Sequence, residues 1–166
     1  MNKLWKEKAL EKIIDPRDLA EKIKVLKNEG CTIATLNGSF DLLHAGHLHI
    51  LYEASKKADV LIVALNSDAS IKKYKNPSRP IVPLEYRLEL VSALEFVSFV
   101  TWFEETTPCR LLEMIQPHIH VNGSEYGTDC IESKVVKKSG GELYLVERIP
   151  GLSTTTIVKK IKELCD

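Results

Sequence analysis

The sequence predicts a single-domain α/β fold: a five-stranded parallel sheet with helices on both faces. Short runs of β-branched and apolar residues alternate along the chain with segments in which apolar residues recur every three or four positions. One run, residues 59–65, is apolar almost throughout, which is typical of a parallel strand covered on both faces. The chain has 166 residues and no internal repeat or low-complexity tract, so we expect one domain over residues 1–166.

The elements follow from local signals. Residues 2–14 are charged with interspersed apolar side chains, so residues 1–14 are interpreted as an N-terminal helical extension. Asp15 and Pro16 predict the N-cap and first position of the next helix, and Gly30 predicts its C-cap. Strands are predicted at residues 32–36, 59–65, 97–101, 118–121 and 142–146. Helices are predicted at 46–57, 68–74, 84–95, from 107, at 131–138 and at 153–164.

Composition excludes several classes of protein. Hydrophobic residues make up 44% and charged residues 28%, as in ordinary soluble domains. The 23 basic and 23 acidic residues balance, so neither a nucleic-acid partner nor a membrane partner is expected. With no apolar run long enough to span a bilayer and no signal peptide, a cytoplasmic location is predicted. The four cysteines are scattered, which disfavours a zinc site or a disulfide framework, and no metal-ligating residues are predicted.

The stretch from residue 32 to residue 51 carries the first chemical signal. It reads as a strand, a loop with Gly38 and Gly46, and the start of a helix. Backbone N–H groups and the positive end of a helix dipole then meet at one point, which favours a phosphate. His44 and His47 are three residues apart and can face the same side of the first turn, where imidazoles can stabilise charge on a phosphoryl group. A surface pair or half of a metal site is the alternative.

Residues 152–157 carry the second signal, because they place four consecutive hydroxyl side chains at the start of the last helix. Hydroxyls and free N–H groups in a first turn form a second phosphate cradle, although a simple N-cap at Ser153 would explain part of the pattern. Arg148, just upstream, can place a guanidinium on the same phosphates.

Residues 73–83 contain prolines and basic residues without periodicity, and predict an exposed loop that is mobile until an anion binds; a plain connector is the alternative. Its cations, counted from the end of the preceding helix, are Lys72, Lys73, Lys75 and Arg79. Arg87 on the next helix is either a further ligand or a solvated charge. The remaining histidines are interpreted as solvent-facing at position 49 and as strand residues at positions 118 and 120.

The string GSFDLLHAGH, residues 38–47, closely resembles the H-x-G-H signature of the nucleotidyltransferase superfamily that includes cytidylyltransferases and adenylyltransferases. LNSDASIKKYK, SRPIVPLEYRLELVSAL, TPCRLLEMIQPHIHVNGSEY and GLSTTTI follow in an order similar to that of the D-glycero-β-D-manno-heptose 1-phosphate adenylyltransferases, over about residues 16–163. The glycerol-3-phosphate cytidylyltransferases are the near alternative. The resemblance implies a Rossmann-like H-x-G-H nucleotidyltransferase fold.

The resemblance also implies roles for individual residues. His44 and His47 would contact the triphosphate and stabilise the transition state, and Lys75 would close over it. The catalytic residues implied are His44, His47, Lys75, Ser153 and Thr154. The residues implied to bind the nucleotide and its phosphates are Asn37, Gly38, Ser39, Phe40, Asp41, Gly46, Arg87, Asn122, Gly123, Glu125, Arg148 and Thr155.

The implied reaction joins a nucleoside monophosphate to a sugar 1-phosphate and releases pyrophosphate, with ATP as the nucleotide (CTP possible). The resemblance also implies Mg²⁺, held mostly by phosphate oxygens and water. The implied assembly is a homodimer. The chain departs from the family pattern at Asn122–Glu125, where Lys-Gly-Gly-Asp is usual, and at Leu152, where Arg is usual. Both changes remove a positive charge, which leaves the nucleotide and the acceptor open. A nucleotide-binding protein without turnover is the alternative from another class.

Overall fold

The computed structural model describes residues 5–165, and its strands form one five-stranded parallel sheet in the order β3-β2-β1-β4-β5. The strands are β1 (Ile33–Gly38), β2 (Val60–Asn66), β3 (Phe99–Phe103), β4 (Ile119–Gly123) and β5 (Glu142–Val146). The helices are α1 (Trp5–Leu10), α2 (Leu19–Asn28), α3 (Ala45–Ser55), α4 (Asp68–Tyr74), α5 (Leu84–Ser92), α6 (Cys109–Ile115), α7 (Ile131–Lys138) and α8 (Thr154–Cys165), with a 3-10 turn at Ser124–Tyr126. The predicted fold class is confirmed.

The strand order reverses beside β1, which pairs with β2 on one side and with β4 on the other. In open parallel sheets, the loops at such a reversal separate and leave a crevice beyond the carboxyl ends of the strands. The loops after β1, β4 and β5 all meet at this crevice. The topology therefore brings together segments that lie more than a hundred residues apart in the chain.

Two apolar clusters cover the two faces of the sheet. One packs α3 and α5 against Leu36, Val63 and Val121, and the other packs α2 and α6 against Ile33 and Ile62. Side chains alternate between the faces along each strand, so both clusters draw on the same strands. Every residue of β2 is buried, as expected for a central parallel strand.

The N-terminal part differs from the prediction in one respect. Helix α2 begins at Leu19 rather than at Pro16, because the Asp15 carboxylate accepts hydrogen bonds from the backbone and side chain of Arg17 and closes a separate turn. The predicted extension contains α1, and Ile14 N donates to Val100 O at the edge of β3. Its first four residues lie outside the described part of the chain.

The second half agrees with the prediction more closely, although β3 lies two residues later than expected, at Phe99–Phe103. No helix in the described part of the chain is both long enough and apolar enough to cross a membrane.

Candidate active site

A cavity of about 470 Å³ opens at the carboxyl ends of β1 and β4. It is lined by residues from the loops after β1, β3, β4 and β5 and from the starts of α3 and α8. Of the predicted site residues, it brings together Asn37, Gly38, Ser39, Phe40, Asp41, His44, Gly46, His47, Lys75, Asn122, Gly123, Glu125, Arg148, Ser153, Thr154 and Thr155. Arg87 does not line it.

The cavity has two parts, one towards each face of the sheet, beyond the carboxyl ends of the strands. We call the part lined by His44, His47, Lys75, Arg148 and Thr154 the histidine arm. We call the part lined by Asn37, Thr106, Thr107, Asn122 and Glu132 the amide arm. The histidine arm lies on the α3 side of the sheet and the amide arm on the side of α6 and α7.

The two histidines form a stacked pair, with ring centroids 3.8 Å apart and planes at 21°. His44 is the N-cap of α3, and its Nδ1 accepts hydrogen bonds from Gly46 N at 3.1 Å and His47 N at 3.4 Å. A ring nitrogen that accepts from N–H groups carries no proton, so neutral His44 holds its proton on Nε2. The capping contact thereby fixes the tautomer and leaves Nε2–H as a donor.

Both imidazoles are held in the neutral form. Burial, followed by the charges of the neighbouring His44 and Lys75, lowers the pKa of His47 to about 4, against the opposing effect of Asp41. Burial, followed by the charge of Arg148, lowers the pKa of His44. The Nδ1 atom of His47 is buried and has no hydrogen-bond partner among residues 5–165. The pair is therefore set to gain protons or donate hydrogen bonds when an anion arrives.

The loop between β1 and α3 is held in a strained conformation, with φ values of 48° at Phe40 and 51° at Leu42. The Phe40 ring packs edge-on to His47 with centroids 5.3 Å apart. A Cβ on Gly38 would lie 3.1 Å from that ring, so glycine leaves room for Phe40 to support the histidine. The strain thus serves to position the imidazole pair.

Asp41 supports this loop from beneath and is only 2% exposed. Its carboxylate accepts hydrogen bonds from Ile81 N and Val82 N, and Arg79 Nη2 lies 2.9 Å from it. The stretch from Arg79 to Val82 is therefore anchored to the first loop. The pattern of residues 73–83 in the sequence does not reveal this anchor.

Lys75 lies in the C-cap position of α4 and reaches into the histidine arm, where its Nζ donates to Ser39 Oγ at 2.9 Å. Tyr74 Oη shares a hydrogen bond of 2.7 Å with the same hydroxyl. Burial lowers the pKa of Lys75, and the nearby charge of Arg79 lowers it further. A partly desolvated ammonium is stabilised by an incoming phosphate, so the histidine arm favours anions.

The start of α8 closes the histidine arm from the other side. Ser153 Oγ accepts a hydrogen bond from Thr156 N at 3.1 Å, so Ser153 is the N-cap, as the sequence predicted. Thr154 Oγ1 donates to the backbone oxygen of Asp41 at 2.8 Å. That bond joins two segments 113 residues apart and brings the hydroxyls of α8 to the wall that carries the histidines.

Arg87 differs from both sequence interpretations, since it is neither a ligand nor a solvated charge. Its side chain is fully buried, and its guanidinium donates to the backbone oxygens of Ser39 and Asn66, at 2.6 and 2.9 Å. It also donates to Val82 O and to the Asp68 carboxylate. Arg87 therefore fastens the loop after β1 to the end of β2 and acts as a positioning residue.

The loop after β4 faces the loop after β5 across the cavity mouth. Glu125 Oε1 lies 3.4 Å from Arg148 Nη1, and both side chains are partly exposed. A Cβ on Gly123 would overlap the Glu125 carboxylate, so glycine permits its inward position. Asn122 is buried, and its Oδ1 accepts from Gly123 N at 3.1 Å. Where the family usually has lysine, this chain has a side chain that stabilises its own turn.

Several lining residues were not among those predicted. His49 lines the cavity and is partly buried, which corrects its interpretation as a solvent-facing residue. Thr106, Thr107 and Glu132 line the amide arm, and no motif marks them in the sequence. Their only signal is position, because they lie in the segments that follow the carboxyl ends of β3 and β4.

The carboxylates of the cavity do not form a cation site of their own. Among residues 5–165, no group of three or more His, Cys, Asp or Glu side chains is arranged to hold a metal ion. Asp41 already accepts hydrogen bonds from two N–H groups and pairs with Arg79, and Glu125 faces Arg148. Any divalent cation here would take most of its ligands from the bound phosphates and water.

Comparison with known proteins agrees with this geometry. A family model described as Cytidylyltransferase-like matches residues 35–162. Bifunctional protein HldE of Hahella chejuensis is 43% identical over 148 residues, which cover 86% of this chain and 31% of that protein. Bifunctional protein HldE of Shigella sonnei is 43% identical over 152 residues, which cover 91% of this chain and 32% of that protein. The chain thus spans about a third of the length of these curated relatives.

Two solved structures share the fold. The lipopolysaccharide core biosynthesis protein from Thermoplasma volcanium superposes with a TM-score of 0.58 at 28% identity, over 72% of this chain and 98% of that chain. Pantoate-beta-alanine ligase from Francisella tularensis, solved with beta-gamma ATP and beta-alanine, superposes with a TM-score of 0.56 at 15% identity, over 93% of this chain and 79% of that one. At that identity the second match concerns the fold alone.

Proposed function

The chain belongs to the cytidylyltransferase-like family, as its signature predicted, and from that premise we propose that it transfers a nucleoside monophosphate from ATP to a sugar 1-phosphate. The acceptor we propose is D-glycero-β-D-manno-heptose 1-phosphate, which gives ADP-heptose and pyrophosphate. The sequence resemblance and the roughly 40% identity to bifunctional HldE proteins support this acceptor. The similar Thermoplasma volcanium protein, described as acting in lipopolysaccharide core biosynthesis, also supports a sugar substrate.

The single observation that carries the proposal is the hydrogen bond from Thr154 Oγ1 to Asp41 O. It places the first turn of α8 against the loop that holds the stacked histidines. Imidazoles, an ammonium, hydroxyls and free helix N–H groups then surround one volume. Such a set of donors suits a triphosphate far better than a neutral ligand.

In the proposed reaction, an oxygen of the acceptor phosphate attacks the α-phosphorus of ATP. The bond from that phosphorus to the bridging oxygen of the β-phosphate breaks, and pyrophosphate leaves from the opposite side. No covalent enzyme intermediate is needed, because the protein supplies position and charge stabilisation. His44 Nε2–H and His47 donate to phosphoryl oxygens as negative charge builds on them.

The remaining residues of the histidine arm hold the triphosphate. Lys75 and Arg148 neutralise charge, and Ser153 and Thr155 offer hydroxyl and N–H donors at the start of α8. Thr154, whose hydroxyl donates to Asp41 O, offers its N–H. Gly38, Ser39, Phe40 and Gly46 shape the loop, while Asn122, Gly123 and Glu125 border the nucleoside. Mg²⁺ bound to the phosphates would neutralise further charge on them.

A pyrophosphate-release screen tests the proposal, with four nucleoside triphosphates crossed against heptose 1-phosphate, other sugar 1-phosphates and glycerol 3-phosphate. We expect ATP with heptose 1-phosphate to be fastest. Faster release with CTP and glycerol 3-phosphate would instead assign the chain to the cytidylyltransferase branch. ATP binding with no release in any combination would show a binding protein without turnover.

We also propose a homodimer. Trp5 on α1 and Tyr86 and Leu90 on the adjoining α5 are 63%, 54% and 46% exposed, an apolar surface that supports self-association. Sedimentation at micromolar concentration should give twice the chain mass, and a monomer there would contradict the proposal. Since the proposed reaction draws on the cell's ATP, a cytoplasmic location remains our prediction.

A further inference from the structure

The amide arm contains a buried carboxylate with no direct partner. Glu132, in the first turn of α7, is only 9% exposed, and among the described residues it makes no hydrogen bond or ion pair, although it is close enough to Tyr126 to add to the effect of burial, which raises the pKa of that phenol. Its neighbour Ile131 is 52% exposed. The first two residues of α7 therefore place a charged side chain inward and an apolar one outward, although the rest of the helix buries Val136 and exposes its lysines in the ordinary way.

Such an arrangement costs free energy to the extent that the carboxylate loses contact with water, because no protein donor among the described residues replaces the lost hydrogen bonds. The positive end of α7 offsets part of that cost, but the oxygens still face the cavity without donors. Asn37 adds a second acceptor of the same kind, since its Oδ1 is buried and has no hydrogen-bond partner among residues 5–165. A ligand that satisfies both groups must bring O–H or N–H donors, and a phosphate ester brings none.

The two acceptors lie on the same side of the sheet. Asn37 is one residue beyond Leu36, which points into the α3 cluster, so Asn37 points to the opposite face. Helix α7, which carries Glu132, contacts α6, and α6 contributes to the cluster on that face. The histidine arm lies on the α3 side. The unsatisfied acceptors and the donors of the histidine arm therefore lie towards opposite faces of the sheet.

The geometry of in-line displacement indicates which reactant lies in each arm, because the attacking and leaving groups lie on opposite sides of the α-phosphorus. The leaving pyrophosphate is held by the histidine arm, so the attacking acceptor must approach from the other side. Resting on the function proposed above, we infer that the amide arm binds the carbon skeleton of the acceptor, with Glu132 and Asn37 accepting hydrogen bonds from its hydroxyl groups. Glu132 is then a specificity-determining residue that selects a polyhydroxylated acceptor with no negative charge at the end distant from its phosphate.

Calorimetry on Glu132→Gln tests the inference, with heptose 1-phosphate as the probe and a non-hydrolysable ATP analogue present. We expect the dissociation constant of heptose 1-phosphate to rise about tenfold, because a charged acceptor of hydrogen bonds becomes a neutral amide. Binding of the ATP analogue alone should change less than twofold. The melting temperature should stay the same or rise, since a buried unpaired charge has been removed.

The matched control is Glu113→Gln on the exposed surface of α6, which should change neither constant. Glycerol 3-phosphate is a second probe, and it should lose less affinity than heptose 1-phosphate from Glu132→Gln because it offers fewer hydroxyls. A residue with a merely structural role would lower the melting temperature and leave the acceptor constant unchanged.

Three results would overturn the inference: an unchanged constant for heptose 1-phosphate in Glu132→Gln, a weakened ATP analogue instead, or no binding of any sugar phosphate to the wild type. Failure of the proposed function has a different signature, namely a wild type that binds both ligands and releases no pyrophosphate. In that case the comparison of the two dissociation constants still decides the role of Glu132.

Discussion

The two arms of the cavity differ in what they lack. In the histidine arm the donors are already organised: Gly46 N orients His44, Ser39 holds Lys75, and Asp41 O holds Thr154. In the amide arm, among the described residues, Asn37 Oδ1 is buried without a hydrogen-bond partner and the Glu132 carboxylate makes no hydrogen bond. An organised set of donors requires an anion, and unsatisfied acceptors require a ligand that donates. The difference indicates which part of the substrates each arm receives.

The largest effect on turnover should come from removing one of the imidazoles of the histidine arm. His47→Ala should lower kcat by about 100-fold to 1000-fold, as loss of a donor to a developing phosphoryl charge does in other enzymes. The acceptor KM should change little, because the amide arm is untouched. Steady-state pyrophosphate release measures both.

The control for that variant is His118→Gln, at the opposite end of the sheet, where His118 Nδ1 accepts from Ile33 N. It should keep wild-type turnover once folded. If His47→Ala kept turnover within tenfold of wild type, the histidine arm would not be the catalytic one, and the comparison between the arms would fail.

The second prediction concerns the wall that both arms share. Arg87→Lys should lower the free energy of unfolding by about 3 kcal/mol, because lysine cannot donate to the carbonyl oxygens of Ser39, Asn66 and Val82 together. Urea denaturation measures the loss. Arg110→Lys, at an 85% exposed position on α6, is the control and should change stability by less than about 0.5 kcal/mol.

A different result would change the role assigned to Arg87. If Arg87→Lys were as stable as wild type but bound ATP weakly, the guanidinium would contact the nucleotide, as the sequence resemblance implied.

The third prediction compares two histidines whose pKa values burial lowers to about 4, one in each half of the molecule. His47 faces the histidine arm, whereas His120 is fully buried in β4 and shares a hydrogen bond of 2.8 Å with Thr35. A bound triphosphate should raise the pKa of His47 by about one to two units and leave that of His120 unchanged. Imidazole resonances in NMR titrations with and without an ATP analogue would show this.

The direction of the pH effect on triphosphate affinity follows from the linkage between proton binding and ligand binding. Because the complex binds more protons than the free protein between the two pKa values of His47, affinity for the triphosphate should increase as pH falls through that range. An equal shift at both histidines would indicate a general change of conformation rather than a local anion.

The smallest effect is expected for Thr154→Val, which removes one hydrogen bond to Asp41 O and preserves shape. Loss of about one neutral hydrogen bond should lower kcat/KM for ATP by roughly tenfold. Thr156→Val is the matched control, because the Thr156 hydroxyl contacts only Ser153 at the surface among the hydrogen bonds described. Equal effects of the two substitutions would mean that the bond between α8 and the first loop is dispensable.

Much of the fold was predictable because its signals are local. The apolar run that forms β2 and the glycines and histidines around α3 carry their information within a few residues. The convergence of the two segments that we predict to bind phosphate followed from the topology of parallel sheets and from the resemblance. The N-cap role of Ser153 was also legible from the sequence.

What escaped prediction depends on contacts between distant segments. Arg87 lies on a helix whose pattern gives no sign that its charge is buried against Ser39 and Asn66, 48 and 21 residues away. Glu132 is likewise placed inward by the docking of α7 on β4 and β5, not by its own spacing. The prediction that Asp15 is a helix N-cap was wrong because its carboxylate accepts hydrogen bonds from Arg17 instead.

Helix α8 buries none of its side chains, yet its first turn supplies the hydroxyls that face the cavity. An element with so little buried surface unfolds locally at a small fraction of the free energy needed to unfold the sheet. Amide hydrogen exchange in this terminal helix should accordingly be fast in the free protein and slow once a triphosphate is bound. The measured affinity for the triphosphate therefore includes the free energy needed to order α8. Substitutions near the end of α8 can change that free energy, and with it the affinity, without altering the residues that face the cavity.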